Sequence, residues 1–407
     1  MIGLASLGLL TALPASAQGT TFAKIEQGRY LVKAGDCASC HTDDEGRPFA
    51  GGRPLPTPFG VIYSTNITPD AQTGIGSWSE QDFYNALHEG IRRDGAYLYP
   101  VFPYPWFTKM SRADVSAIKA YLDTVAPVTQ KNKPAKVPWP LSWRESMAGW
   151  NALYFHAGSF EPHSDKSAQW NRGAYLVEGP GHCELCHTSK NLLGAVDRDN
   201  PFRGGNAGDY WYAPSLSENS RHGIGEWSIA EIVEYLKTGS NAKTASAGPM
   251  TEVVANSTRY LSDADLRAIA IYLKDLPQHD DNTDTDDKFT AAALARGQAL
   301  YVDNCTACHM DDGGGQAQAF PPLGRSAAIQ ERKPDTVIHI VLAGARMAVT
   351  PGKPTGLAMP AFGWKLSDQE VADVVNYIRH AWGNRAPLVN AEAVADGRAK
   401  VGQAVTR

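Results

Sequence analysis

Every cysteine of the chain falls in one recurring pattern. It reads Cys37-Ala-Ser-Cys40-His41, then Cys183-Glu-Leu-Cys186-His187, then Cys305-Thr-Ala-Cys308-His309. Two thiols at this spacing can add to the two vinyl groups of one haem, and the histidine beside them then meets the iron from the proximal side. A zinc ribbon would want its second cysteine pair roughly 15–20 residues after the first; here the copies lie far further apart. A thiol redox pair would want a βαβ context, which is absent, and neither alternative asks for the histidine. The spacing predicts three covalently attached haem c groups. Their attachment residues are Cys37, Cys40, Cys183, Cys186, Cys305 and Cys308, and their iron ligands are His41, His187 and His309.

The opposite face of each iron decides the chemistry. An open position binds small molecules, whereas a methionine thioether favours Fe(II) and makes an electron carrier. Met1 lies in the N-terminal apolar run, Met310 directly follows a proximal histidine, and Met147 lies beyond the first unit. Met110, Met250 and Met359 each stand just ahead of a unit's final helix, and they are the predicted distal ligands. Met347 is the rival to Met359, and core filling is the alternative for any single methionine. The other histidines leave bis-histidine ligation open in principle, but none recurs at a matching place in all three units. Backbone carbonyls should orient the proximal imidazoles. Phe320-Pro-Pro-Leu323 is placed to do so for His309 and Ala213-Pro-Ser-Leu216 for His187. The first unit has Ser64-Thr-Asn-Ile67 there, without proline.

The elements that must carry these residues also repeat. Gln27-Gly-Arg-Tyr30, Arg172-Gly-Ala-Tyr175 and Arg296-Gly-Gln-Ala299 precede the three motifs. A glycine inside a helix costs about 1 kcal/mol relative to alanine, so close approach of a second helix is expected there. Each unit closes with a capping signature and an apolar run: Ser111-Arg-Ala-Asp114, Ser262-Asp-Ala-Asp265 and Ser367-Asp-Gln-Glu370. Tyr121, Tyr272 and Tyr377 near the ends of those runs can pack between the first and last helices. The first two units are the closer pair, sharing Gly74-Ile-Gly-Ser-Trp-Ser79 and Gly223-Ile-Gly-Glu-Trp-Ser228 ahead of a further helix.

The expected fold is all-α: three tandem cytochrome c domains of the class I kind, joined by linkers. The divisions are 1–17 signal peptide, 24–126 domain 1, 127–165 linker and connecting segment, 166–276 domain 2, 277–288 acidic linker, 289–384 domain 3 and 385–407 polar tail. The signal peptide is read from an apolar run ending in Ala15-Ser-Ala17, which implies export. Within the first linker, 126–142 is rich in proline and should be extended. The aromatic stretch 143–160 should pack between domains, or else cover a haem or meet a partner. The chain has 407 residues, 43% hydrophobic and 20% charged, with a net charge of -5. That balance is globular and gives no reason to expect nucleic acid.

Together with the three haem motifs, Thr65-Asn-Ile-Thr-Pro69, Gly74-Ile-Gly-Ser-Trp-Ser79, Phe102-Pro-Tyr-Pro105, Ser257-Thr-Arg-Tyr260 and Met359-Pro-Ala-Phe-Gly-Trp364 carry a family likeness over 28–382. The chain resembles the triple-haem cytochrome c subunits of bacterial membrane-bound dehydrogenases acting on alcohols, aldehydes and sugars. The resemblance implies a non-catalytic subunit on the periplasmic side of the cytoplasmic membrane. It would relay electrons from a catalytic dehydrogenase subunit, carrying a flavin or quinone cofactor, to ubiquinone. Some members dock to the membrane surface through an amphipathic C-terminal helix, which the polar tail here does not resemble. The competing expectations are a haem enzyme, peroxidase or oxidant reductase, with an open site in domain 1, and a freestanding carrier or oxidase subunit.

Overall fold

A computed structural model describes residues 15–42, 45–219, 221–277, 290–317 and 319–405. Most of the expected signal peptide and the acidic linker lie outside the described residues. The first unit holds α1 (Ala15–Ala34), α2 (Cys37–His41), the hairpin β1 (Pro54–Thr57) and β2 (Gly60–Tyr63), α3 (Glu80–His88), α4 (Tyr104–Phe107) and α5 (Arg112–Leu122). A connecting helix α6 (Ser146–Tyr154) follows. The second unit repeats the order with α7 (Ala168–Glu178), α8 (Glu184–His187), β3 (Gly205–Gly208), β4 (Trp211–Ala213) and α9 (Ile229–Thr238), then α10 (Pro249–Asn256) and α11 (Asp263–Lys274). The third has α12 (Ala291–Asn304), α13 (Thr306–His309), α14 (Ala327–Gln330), α15 (Asp335–Ala343), β5 (Ala345–Arg346), β6 (Ala358–Met359) and α16 (Asp368–His380). Last comes α17 (Ala391–Val405). The fold is helical as expected, with one small antiparallel strand pair in each unit.

The first and last helices of each unit cross at the predicted glycine. A Cβ on Gly28 would stand 1.8 Å from the Ala117 carbonyl oxygen; on Gly173, 2.0 Å from that of Ala268; on Gly297, 2.3 Å from that of Asp373. Tyr121, Tyr272 and Tyr377 lie against the same three glycines. The apolar stripes Val115/Ile118/Leu122, Leu266/Ile269/Leu273 and Val371/Val374/Ile378 are all buried. Seating the stripes one methylene further out would cost about 0.8 kcal/mol per exposed CH₂, so the glycines determine how deep the cores can be.

Ser111, Ser262 and Ser367 each accept a hydrogen bond from the backbone N–H three residues on, as the caps predict. Only the last closes the reciprocal bond, its Ser367 N–H donating to Glu370 at 2.8 Å. Asp114 and Asp265 instead serve other helices. Gln27 and Arg172, each just ahead of its glycine, donate to them from α1 and α7.

The same two aspartates also tie the units together. Tyr30 of α1 donates to Asp265 of the second unit at 2.6 Å, and Tyr175 of α7 donates to Asp114 of the first. The backbone N–H of Ser262 donates back to the Tyr30 hydroxyl at 3.1 Å, and that of Ser111 to the Tyr175 hydroxyl at 3.3 Å. The seam is thus a reciprocal exchange between matching positions.

The third unit joins the second differently. Trp211 stacks on His339 with ring centres 4.0 Å apart, and Ser215 N–H donates to Glu331 at 2.9 Å. Segment 385–407, read from sequence as a polar tail, contains α17. That helix buries Val394 and Val401, and its Arg398 binds Asp368 and the carbonyls of Gly363 and Leu366. The proline-rich linker runs extended along the first unit, where Val61 and Lys136 exchange backbone hydrogen bonds.

Candidate haem sites

Each C-x-x-C-H forms the short helix that follows a unit's first helix, whole in Cys37–His41 and with Cys183 and Cys305 as the N-caps of α8 and α13. In all three, the histidine Nδ1–H has a backbone carbonyl to donate to: His41 to Thr65 at 2.6 Å, His187 to Pro214 at 2.7 Å and His309 to Pro321 at 3.0 Å. All three carbonyls lie in the segments anticipated from sequence. A proton on Nδ1 leaves the lone pair on Nε2, which a metal requires, and fixes the ring's orientation. Burial lowers all three histidine pKa values, against the opposing pull of the carbonyl. The imidazoles are therefore neutral at ordinary pH, the form that a metal ion requires of a ligand.

The sulfurs fit the same group. All six cysteines are unpaired. Burial pushes the Cys37 and Cys183 thiols up to about 12, and those of Cys40 and Cys305 to about 11. A thiolate is disfavoured at these positions, whereas a thioether carries no charge to bury. Cys37, Cys183 and Cys305 each pack against the apolar core of their own unit, which is where a haem edge would lie. Two thiols, one oriented imidazole and an apolar wall are the donor set of haem c in each unit.

The predicted methionines are placed unequally. Met110, on the turn between α4 and α5, is 1% exposed and shares one core with Cys37. Met359, on β6, packs against the core that also takes Cys305. Met250 stands partly buried in the first turn of α10, a helix that the sequence pattern did not single out. Met347 directly follows β5, its N–H donating to the Leu357 carbonyl just ahead of β6.

Two further groups border the sites and escaped the motif reading. Asp36 and His182 occupy the same position, immediately before the first cysteine, both with left-handed backbone (φ 50° and 37°). Burial raises the Asp36 carboxyl to about 7, while a hydrogen bond from Ser39 opposes the rise. Trp106 of the first unit donates to Glu184, inside the second haem motif, at 2.9 Å. The repeated Gly-x-Tyr of the first two units was the available signal for their seam. It was visible in sequence, but its partner aspartates were not.

The cytochrome c family model matches residues 25–126 and 294–382. The chain is 42% identical to the gluconate 2-dehydrogenase cytochrome c subunit of Pantoea cypripedii, covering 96% of this chain and 93% of that protein. It is also 42% identical to the cytochrome c subunit of the quinone alcohol dehydrogenase of Gluconobacter oxydans (94% and 84%). The fructose dehydrogenase cytochrome subunit of Gluconobacter japonicus is 35% identical (95% and 84%). With three matching donor sets and relatives aligned over nearly its whole length, the chain belongs to the family of triple-haem cytochrome c subunits of bacterial dehydrogenases, and it carries three covalently attached haem c groups.

Proposed function

We propose that this protein relays electrons from a catalytic dehydrogenase subunit to ubiquinone, on the periplasmic side of the cytoplasmic membrane. The observation that carries the reading is the threefold repetition of one histidine–carbonyl geometry in units bonded directly to one another. Bound haem supplies a one-electron iron couple at each site. The protein's part is to hold the ligands still. His41, His187 and His309 cannot rotate without losing their carbonyls, and the glycine crossings keep the last helices from shifting. A site that does not rearrange between oxidation states passes electrons with little reorganisation.

Met110, Met250 and Met359 are the distal ligands in this reading, and they exclude small molecules from the iron. No helix among the described residues is long and apolar enough to cross a membrane. The weak far-red absorption band of methionine–Fe(III) tests the ligands. Each of Met110→Ala, Met250→Ala and Met359→Ala should remove about a third of it. A substitution that left the band whole would remove that methionine from the ligand set. Binding of carbon monoxide by the unmodified reduced protein would count against pure electron relay. Co-purification with a large dehydrogenase chain, and reoxidation of the reduced protein by a ubiquinone analogue, test the two ends of the relay.

A further inference from the structure

α10 carries Met250, yet the side-chain bonds that hold it run mainly to the other two units. Glu252 takes the Arg53 guanidinium of the first unit, whose Nη2 contacts both carboxylate oxygens at 2.9 and 3.1 Å. Through Nη1 the same Arg53 donates to the Ser39 carbonyl, between the two cysteines of the first haem motif. One turn further along α10, on the same face as Glu252, Asn256 donates to the Ser39 hydroxyl at 2.9 Å, and Ser39 donates to Asp36 at 2.6 Å. Ser257, the C-cap, donates to the Ala34 carbonyl at the end of α1 at 3.3 Å. The third unit bears on the start of the helix. Thr251 donates to the Arg346 carbonyl at 3.1 Å, and a Cβ on the N-cap Gly248 would stand 2.5 Å from the Trp211 ring that stacks on His339. From its own unit α10 has buried Val254 and a 3.3 Å bond from Thr251 to Ser246. Met110 and Met359, by contrast, pack in or against the cores that take Cys37 and Cys305.

We propose that Arg53, Glu252 and Asn256 are positioning residues for Met250, tying the distal ligand of the second haem to the proximal motif of the first. The proposal rests on the reading of Met250 as that ligand. A methionine thioether is a soft donor that favours Fe(II), so its bond to Fe(III) depends on the scaffold that presents it. A ligand is held only as well as the groups behind it are held. Behind Met250 those groups are an ion pair and a hydrogen bond that end on Ser39, inside Cys37-Ala-Ser-Cys40. The second iron therefore keeps its methionine only while the first motif is folded beside it. Loosening the tie opens the distal face of the second haem and leaves the first and third ligand sets as they were.

The experiment uses the complete three-haem protein and two spectroscopic signatures: the far-red band of methionine–Fe(III), and carbon monoxide binding after reduction. Haem is counted per chain by pyridine haemochrome. Glu252→Ala with Asn256→Ala cuts both ties from the α10 side, and alanine is the better helix former, so the helix itself is not weakened. Arg53→Ala cuts the ion pair from the first unit and leaves the sequence of α10 untouched. Both variants should keep three haems, lose about a third of the band and bind about one carbon monoxide per chain. Glu252→Gln retains an acceptor oxygen for Arg53 and should keep nearly all of the band. In a Met250→Ala background, Arg53→Ala should remove nothing further. A whole band in both variants, with Met250→Ala removing its share, would overturn the proposal and leave the ligand reading intact. A band left whole by Met250→Ala would remove the ligand reading, and the proposal with it. Further loss from Arg53→Ala on top of Met250→Ala would put the effect on another haem and likewise overturn the proposal. Should Arg53→Ala lose the first haem, the Glu252 and Asn256 variant alone decides.

Discussion

The first two units and the third use the same helix cap for different ends. In the first two, the third residue of the last helix is aspartate (Asp114, Asp265), and it leaves its own cap to bind a tyrosine of the other unit. In the third, that residue is Glu370, which closes its own capping box, and Ala299 stands where the tyrosine would be. The bond from the arginine ahead of the glycine shifts down the helix accordingly, Arg296 reaching Asp373 at 2.8 Å. A sequence signature for a helix start is therefore only a statement about local potential. The longer glutamate reaches back to its own backbone, while the shorter aspartates, faced with a tyrosine and a basic or amide side chain, are drawn into tertiary bonds.

The largest expected effect separates the units by removing one. Gly297→Val drives a side chain into the Asp373 carbonyl, at a cost of roughly 3 kcal/mol or more where backbones must part. It should leave a protein with two attached haems and a folded first pair. Gly173→Val, in the unit bonded to both neighbours, should cost far more than one haem. Pyridine haemochrome counts per chain measure both, and equal losses would mean that the units do not depend on one another as described.

Next comes the exchange itself. Tyr30→Phe and Tyr175→Phe each remove a hydrogen bond to a carboxylate, worth about 1.5–3 kcal/mol. The pair of substitutions should let the first unit unfold at lower temperature than the second, as two transitions by calorimetry. Ala299→Phe, at the matching place in the third unit, is the control and should leave the first transition unmoved.

A smaller effect follows from pH. Burial pulls the Asp265 carboxyl upward, but the Arg172 and Tyr30 bonds outweigh it and hold the group below the usual carboxylate range. A depressed folded value means the contribution is complete above the unfolded pKa of about 3.9 and is lost as pH falls through the lower folded one. Acid should thus loosen the seam between the first two units, and Asp265→Asn should flatten that dependence in a melting series from pH 5 downward. Smallest is Ser367→Ala. It removes a cap that serves only its own helix, at about 1 kcal/mol, and should lower the melting of the third unit alone.

Much of this was legible in sequence because it depends on short spacings. The haem motifs, the crossing glycines, the buried stripes and the carbonyl-bearing segments all follow from residues within one unit. The lack of a proline at Thr65 leaves the geometry of the first unit unchanged, His41 meeting the Thr65 carbonyl at 2.6 Å. A backbone carbonyl serves His41 whatever side chain carries it, and Met110 is the most deeply buried of the three distal candidates. Met250 is the one set apart from its core. The seams were not legible: Tyr30 and Asp265 lie in different repeats, and no periodicity links them. Nor was α17, whose apolar side chains are sparse. It packs because Gly397 lets the helix backbone lie directly against Tyr210 and Ile338.

A surface on which one residue meets a second, and the second's counterpart meets the first, is the pattern that a two-fold axis produces between identical subunits. The Tyr30–Asp265 and Tyr175–Asp114 bonds have that form within a single polypeptide. A one-haem protein bearing only the tyrosine and the aspartate would already have been able to dimerise through both bonds. Joining two copies end to end would have preserved that interface intact and freed each half to diverge. The third copy joins by other means, docking on the second unit through Trp211–His339 and Ser215–Glu331. Within one polypeptide, the first two units thus meet as the halves of a symmetric dimer do, through Tyr30–Asp265 and Tyr175–Asp114.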